Sequence, residues 1–401
     1  MPQISSQSAW ALAQILRMRQ ILGKIVPSRQ WRSLPRLSQP AKGTHMSSKI
    51  LDSKTDPTLQ PAHGLWAQYH PEQAPHAFRA RTSTEARAWQ AQTRLALTTC
   101  LGLPAREEAP LRAGLIEIVD KGDYVREKLV IQTRAYTRMP FYLLLPRGAQ
   151  GPLPVVLAFH GHGYGVKDIV GLWEDGQERD SPDGYHKDFA VALCRAGFAV
   201  AAPEIACFGE HQTDFSGLDT TLGQEQPSSC AHAARLAAHL GGSLLGLRVH
   251  DGLRLVDYLE TRPDLDTRRL GAMGISGGGM HTFFSACLDE RIRACVVSGY
   301  FSTFQASILA MEHCACNFVP GLGKFGEMYD LAGLLAPRPL LVESGSHDPI
   351  FPRQAVEVSV ERARSIYSIF EAGARIETDY FEGRHQISGR KAYGFLKDAP
   401  G

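Results

Sequence analysis

The chain has 401 residues, 44% hydrophobic and 21% charged, with a formal net charge of +2. That balance excludes a wholly disordered polymer and gives no global electrostatic case for binding nucleic acid. No run approaches the roughly 18 uncharged apolar residues of a membrane-spanning helix, and no fixed-period repeat marks a solenoid or propeller.

Charge is unevenly placed. Arg17, Arg19, Lys24, Arg29, Arg32, Arg36, Lys42 and Lys49 precede the first acid, Asp52, so the remainder of the chain is mildly acidic. Residues 1–46 are read as a basic N-terminal extension, either disordered or a targeting segment, with Met46 an alternative start. The eight cysteines are dispersed with no C-x-x-C pair, which fits free thiols in a reducing compartment. The expected location is therefore cytoplasmic, or an organelle if the basic segment is an address.

Residues 47–110 are expected to be a helical segment packing on the core, and 111–401 the main α/β domain. In the first, 82–101 predicts a helix capped by Ser83 or Thr84, with Ala86, Trp89, Leu95, Leu97 and Leu101 on its apolar face and Gly102 and Pro104 as the stop. Three strand-like runs follow, LIEIVD, EKLVIQTRAY and FYLLLP, separated by turn residues and read as antiparallel or edge strands.

From Pro154 the rhythm changes. VVLAFHG is a continuous apolar run ending in glycine, as a strand buried on both faces requires. FAVAAPEI, RLGAMGIS, IRACVVSGY, PLLVESGS and RIETDYFEG are further strands, alternating with helices in DFAVALCRAG, LRVHDGLRLVDYLETRP, 277–288 and VEVSVERARSIYSIF. The alternation predicts a mostly parallel sheet with helices on both faces, and ligands at the carboxyl ends of its strands.

Gly274-Ile275-Ser276-Gly277-Gly278 fits G-x-S-x-G, in which a sharp strand-to-helix turn lifts a serine above the sheet. A serine hydroxyl needs a base within hydrogen-bond reach and a third group to orient it. Asp348 follows PLLVESGS and His385 follows RIETDYFEG, in the order Ser, Asp, His and at successive strand ends. Competing residues are Glu343 inside its strand, His347 in a loop, and His281 on the helix after the elbow, expected to be a packing or pocket residue.

Two N–H donors must meet a developing oxyanion. One is expected from Gly277, and the other from His162, with Gly163 as its neighbour, in the loop HGHGYG. His160 and His162 alternate as metal ligands can, but no third ligand follows them and Cys314-x-Cys316 lacks partners, so no metal is expected.

Long connections near 205–245 and 300–335 are expected to be lid-like insertions. Tyr164, Phe208, Tyr300 and Phe301 are candidate substrate-binding residues, against the alternative of simple packing. Glu204, Glu210 and His211 are either polar contacts to substrate or loop surface charge.

Taken together, HGHGYG, GISGGG, SGSHDPIFP, GRHQI and HCACNFVPGL resemble the dienelactone-hydrolase-like and acetyl-xylan-esterase-like branch of the α/β-hydrolase superfamily, over roughly residues 82–397. The resemblance implies an α/β-hydrolase fold with a mostly parallel eight-stranded sheet, and a cofactor-free serine hydrolase cleaving a carboxylic ester of small or medium acyl group. Activity would then require a neutral His385 and fall below an apparent pKa near ~6.5. The expected partner is a small-molecule ester, with no nucleic acid and no membrane span; the sequence does not set the oligomeric state. Two other readings stay open: a serine peptidase of prolyl-oligopeptidase type, and a catalytically silent binding protein on the same fold.

Overall fold

The computed structural model describes residues 56–104, 110–148, 150–215 and 228–399. The chain divides into two compact units, Met1–Leu59 and Gln60–Gly401. Of the first, the described part is a short turn, Pro57–Leu59, in which the Thr58 N–H donates to Asp56 Oδ1. The basic extension 1–46 lies outside the described residues.

The second unit carries one nine-stranded sheet: β1 (Gly114–Asp120), β2 (Tyr124–Arg134), β3 (Thr137–Pro146), β4 (Leu153–Phe159), β5 (Ala199–Pro203), β6 (Leu265–Ile275), β7 (Ala294–Ser298), β8 (Leu340–Gly345) and β9 (Ile376–Phe381). Their spatial order is β1-β2-β3-β5-β4-β6-β7-β8-β9. Pairing is antiparallel from β1 to β5 and parallel from β5 to β9. This corrects the eight-stranded, mostly parallel expectation. The run LIEIVD pairs with β2 as an additional outer edge, and its Leu115, Ile116 and Ile118 stay exposed.

The helices are α1 (Pro61–Trp66), α2 (Ser83–Leu101), α3 (Phe189–Arg195), α4 (Ser229–His239), α5 (Leu244–Leu259), α6 (Gly277–Leu288), α7 (Met328–Leu331), α8 (Arg353–Ser368) and α9 (Ala392–Asp398). None among the described residues is long and apolar enough to cross a membrane.

Two apolar layers form because successive side chains of a strand point to opposite faces. Val155, Leu157 and Phe159 of β4 join α2, α5, α6 and α8, while Val156 and Ala158 join α3 and α9. A run buried on both faces must be apolar throughout, which is why VVLAF shows no alternation.

Helix α2 differs from expectation in two details. Its cap is Thr82, because Glu85 lies three residues on and closes a capping box. Its buried stripe is Ala86, Gln90, Thr93, Leu97 and Leu101, spaced by three and four, whereas Leu95 is off-stripe and exposed. Gln90 is buried because its Nε2 donates to the carbonyls of Gly333 (2.7 Å) and Ala336 (2.6 Å).

From β4 the chain crosses to β5 on one side and later to β6 on the other. The carboxyl ends of β4 and β6 therefore flank the point where strand order reverses, where open α/β sheets place their ligands.

Candidate active site

Ser276 sits between the end of β6 and the start of α6, with φ +57° and ψ −121°. A side-chain-bearing residue rarely adopts a positive φ, and the surroundings hold this one there. Its N–H donates to the Ser298 carbonyl (3.0 Å) and its carbonyl accepts from Met280 (2.9 Å). Strand and helix pass so closely that a Cβ on Gly278 would run into the Phe159 carbonyl. The glycines of the motif are steric necessities of the elbow.

Asp348 and His385 arrive from the ends of β8 and β9. Asp348 Oδ2 accepts from His385 Nδ1 at 2.7 Å, and Oδ1 accepts from the N–H groups of Ile350 (2.9 Å) and Phe351 (3.0 Å). The His385 ring lies over Gly299, where a Cβ would come within 3.0 Å of Nδ1. His385 Nε2 is buried and makes no hydrogen bond among the described residues.

Ser276, Gly277, His162, Tyr300 and His385 share one cavity of about 340 Å³, walled also by Tyr185, Ile350, Phe351, Asn317, Glu312, His313 and Cys314. Among the described residues no lysine or arginine lines it. A larger concavity of about 470 Å³ around Tyr124, Arg179 and Arg195 holds no histidine to act as a base.

The loop after β4 is braced from beneath. His160 Nδ1 lies 2.8 Å from the Gly161 carbonyl, and its Nε2 accepts from the Ile205 N–H at 3.1 Å. The Gly161 N–H donates to His186 Nε2 at 2.8 Å, and His186 Nδ1 lies 3.0 Å from Asp168 Oδ2. Burial alone would raise the Asp168 pKa, yet His186 and Arg179 hold it below its ordinary value. Glu204 is buried, accepts from the N–H groups of Val166 (2.9 Å) and Glu210 (3.3 Å), and leaves no room for a Cβ on Gly165. It is neither a substrate contact nor surface charge, but the post on which the loop stands. Tyr185, unmarked in the sequence, donates its hydroxyl to the His162 carbonyl at 2.6 Å and also reaches Ser276.

The His162 N–H has no partner among the described residues. The Gly277 N–H belongs to the first turn of α6, where no intrahelical acceptor exists. Of the other sequence candidates, Tyr300 lines the cavity. Tyr164 does not: its hydroxyl donates to the Leu172 carbonyl (3.0 Å) and accepts from Arg179 (2.5 Å). Phe301 is core, 5.5 Å from Phe283, and Phe208 packs edge-on behind His160 and His162. His347 is exposed beside Glu382, and His281 stacks on Phe159 (3.9 Å), its pKa pushed down to about 3 chiefly by burial.

The connection 300–335 supplies Glu312, His313, Cys314 and Asn317 to the cavity wall, and Cys314 and Cys316 stand against the His162 ring. Burial would lower the His162 pKa, but the two thiols raise it to about 9. Of the connection 205–245, residues 216–227 lie outside the described residues.

A model of the Abhydrolase family matches residues 54–361. The chain belongs to this family. It is 26% identical over 288 residues to YtaP of Bacillus subtilis (strain 168), a candidate hydrolase, covering 70% of this chain and 88% of that one. BF1801 of Bacteroides fragilis NCTC 9343, a candidate acetyl xylan esterase, superposes with TM-score 0.66 at 18% identity over 86% of this chain and 91% of its own. A glucuronoyl esterase from Solibacter usitatus gives 0.56 at 17% identity, over 81% and 99%. These likenesses establish the α/β-hydrolase fold.

Proposed function

We propose that the chain is a serine carboxylic-ester hydrolase working through an acyl-enzyme. The observation that carries this reading is the His385–Asp348 pair at 2.7 Å, whose free Nε2 faces the cavity that also holds the strained Ser276. Ser276 Oγ turns from Tyr185 toward His385, gives its proton to Nε2, and attacks the ester carbonyl carbon. Asp348 holds the Nδ1–H tautomer and stabilises the imidazolium. The carbonyl oxygen takes negative charge between the N–H groups of Gly277 and His162, with Gly163 adjacent. Collapse expels the alcohol, which takes the proton from His385. Water, deprotonated by the same nitrogen, then attacks the acyl-enzyme and releases the acid.

A cavity of about 340 Å³ with Tyr300, Ile350 and Phe351 in its wall suits a small or medium acyl group. The carboxylate of Glu312 in the wall, with no lysine or arginine lining the cavity among the described residues, favours a neutral ester over an acidic one. Ester rather than peptide cleavage is supported by the solved relatives, several of which are named as esterases. All nine named strands lie in one sheet, so among the described residues there is no propeller of the prolyl-oligopeptidase kind.

The test is hydrolysis of p-nitrophenyl acetate, butyrate and octanoate by wild type and Ser276→Ala. The expected result is turnover of the shorter esters that is lost in the variant. Turnover surviving in the variant overturns the assignment of Ser276, and a folded wild type without turnover favours the silent binding protein.

A further inference from the structure

Sequence spacing offers His162 no metal-ligand partners, but the fold supplies two. Cys314 and Cys316, on the long connection after β7, come to the His162 ring so that both sulfurs and a ring nitrogen lie within 4.8 Å of one another. Cys230, near the start of α4, is a further thiol within interaction range of both sulfurs. Cys230 and Cys316 are buried, and the buried His162 Nε2 makes no hydrogen bond. Four soft or borderline donors from three separate segments thus meet beside the loop that supplies His162 to the cavity.

A second observation is independent of these distances. Arg248 of α5 is among the largest fully buried side chains of the chain. Its guanidinium donates to the Ala206 carbonyl (3.2 and 2.9 Å) and to Cys230 Sγ (3.1 Å), and among the described residues no carboxylate pairs with it. A buried guanidinium without counter-charge costs several kcal/mol. Cysteine binds zinc as the thiolate, so a cation held by these sulfurs would bring negative charge next to the guanidinium.

We propose that His162, Cys230, Cys314 and Cys316 bind a soft divalent cation, zinc, as a closed Cys3His site. Zinc with three thiolates and a neutral imidazole carries one net negative charge, which Arg248 balances. Tetrahedral zinc needs donors about 3.5–3.8 Å apart, so the spread of up to 4.8 Å among His162, Cys314 and Cys316 closes by at most about 1.3 Å. Cys230, whose Sγ already accepts from Arg248, moves in as the fourth ligand to complete the set. Four protein ligands leave no open position, so the metal is structural: it ties the loop after β4 to the far wall of the cavity. The site does not depend on the esterase reading.

The test is metal content of the full chain, without an affinity tag, after gel filtration under reducing conditions, together with cobalt(II) titration of the metal-free protein. The expected result is about one zinc per chain and a thiolate-to-cobalt charge-transfer band, with bound zinc at least about tenfold lower in Cys314→Ser/Cys316→Ser. Cys194→Ser, whose thiol is buried elsewhere on α3, retains the zinc. Should the double variant not fold, the wild-type cobalt spectrum decides alone. Absence of zinc and of the charge-transfer band in reduced wild type overturns the site, as does unchanged zinc in the folded double variant. A chain isolated with a disulfide among these cysteines that takes up no metal once reduced also overturns it.

Discussion

Asp348 divides its two carboxylate oxygens between tasks: Oδ2 holds His385 Nδ1 at 2.7 Å, while Oδ1 is anchored by the N–H groups of Ile350 and Phe351. The anchor fixes the carboxylate plane, and the plane fixes the imidazole. Asp348→Asn keeps the shape and the Oδ1 contacts, but an amide nitrogen facing Nδ1 would select the wrong tautomer. The expected result is a kcat on p-nitrophenyl acetate lower by about 10³–10⁴ with a nearly unchanged Tm. A loss below about tenfold would show that His385 does not depend on Asp348.

Tyr185 acts through the loop it holds. Its hydroxyl donates to the His162 carbonyl at 2.6 Å, which orients the peptide carrying the Gly163 N–H and steadies the adjoining His162. Tyr185→Phe removes the bond to the His162 carbonyl, worth about 0.5–1.5 kcal/mol, together with the contact to Ser276, so kcat should fall by about tenfold with little change in KM. A rise in KM alone would mark Tyr185 as a substrate contact and not a positioning residue.

Much of this arrangement was legible in the chain. All nine strands correspond to strand-like runs in the sequence: β4, β5, β7 and β8 because a strand covered on both faces must be apolar, and β1 to β3 because turn residues separate them. Only the count implied by family resemblance fell one short, since the exposed edge β1 lies outside that pattern. The elbow was legible because its glycines are steric requirements, and Asp348 and His385 because successive strand ends put them in order. What could not be read came from contacts between distant segments. Nothing near Tyr185 signals its reach to His162, Glu204 looks like an ordinary loop acid until its two N–H partners are seen, and the cysteines facing His162 belong to another connection. Local pattern also misled at Leu95: it is a helix former on the wrong side of α2, and only the spacing of Ala86, Gln90, Thr93 and Leu97 shows which side is buried.

The elbow's closeness predicts an effect on stability that is separable from chemistry. A methyl group on Gly278 would meet the Phe159 carbonyl, which is backbone and cannot turn aside. Gly278→Ala should therefore lower stability by at least about 3 kcal/mol, seen as a lower Tm or loss of soluble protein. Gly64→Ala, where nothing lies within 4 Å, is the matched control and should leave Tm within about a degree or two. Equal Tm values for the two variants would mean that strand and helix are farther apart than the elbow requires.

Glu343 offers a pH test of the core beneath the site. It is buried in β8, accepts from the Gly389 N–H at 3.0 Å, and its pKa is pushed from 4.5 up to about 7, chiefly by burial and further by Asp379, against the opposing Ser298 hydroxyl and Gly389 N–H. Between about pH 4.5 and 7 the native chain holds a proton that the unfolded chain has released. Stability therefore falls as pH rises through that window, and above it the full cost is present, on the order of 3 kcal/mol. Glu343→Gln cannot ionise and should lose this slope. Urea denaturation of both proteins at pH 5, 6, 7 and 8 measures it, and the readout is the difference between variant and wild type as a function of pH, not its offset. That difference should grow in the variant's favour from pH 5 to about 7 and then level off. A flat difference would mean that Glu343 ionises in the native state with an ordinary carboxylate pKa.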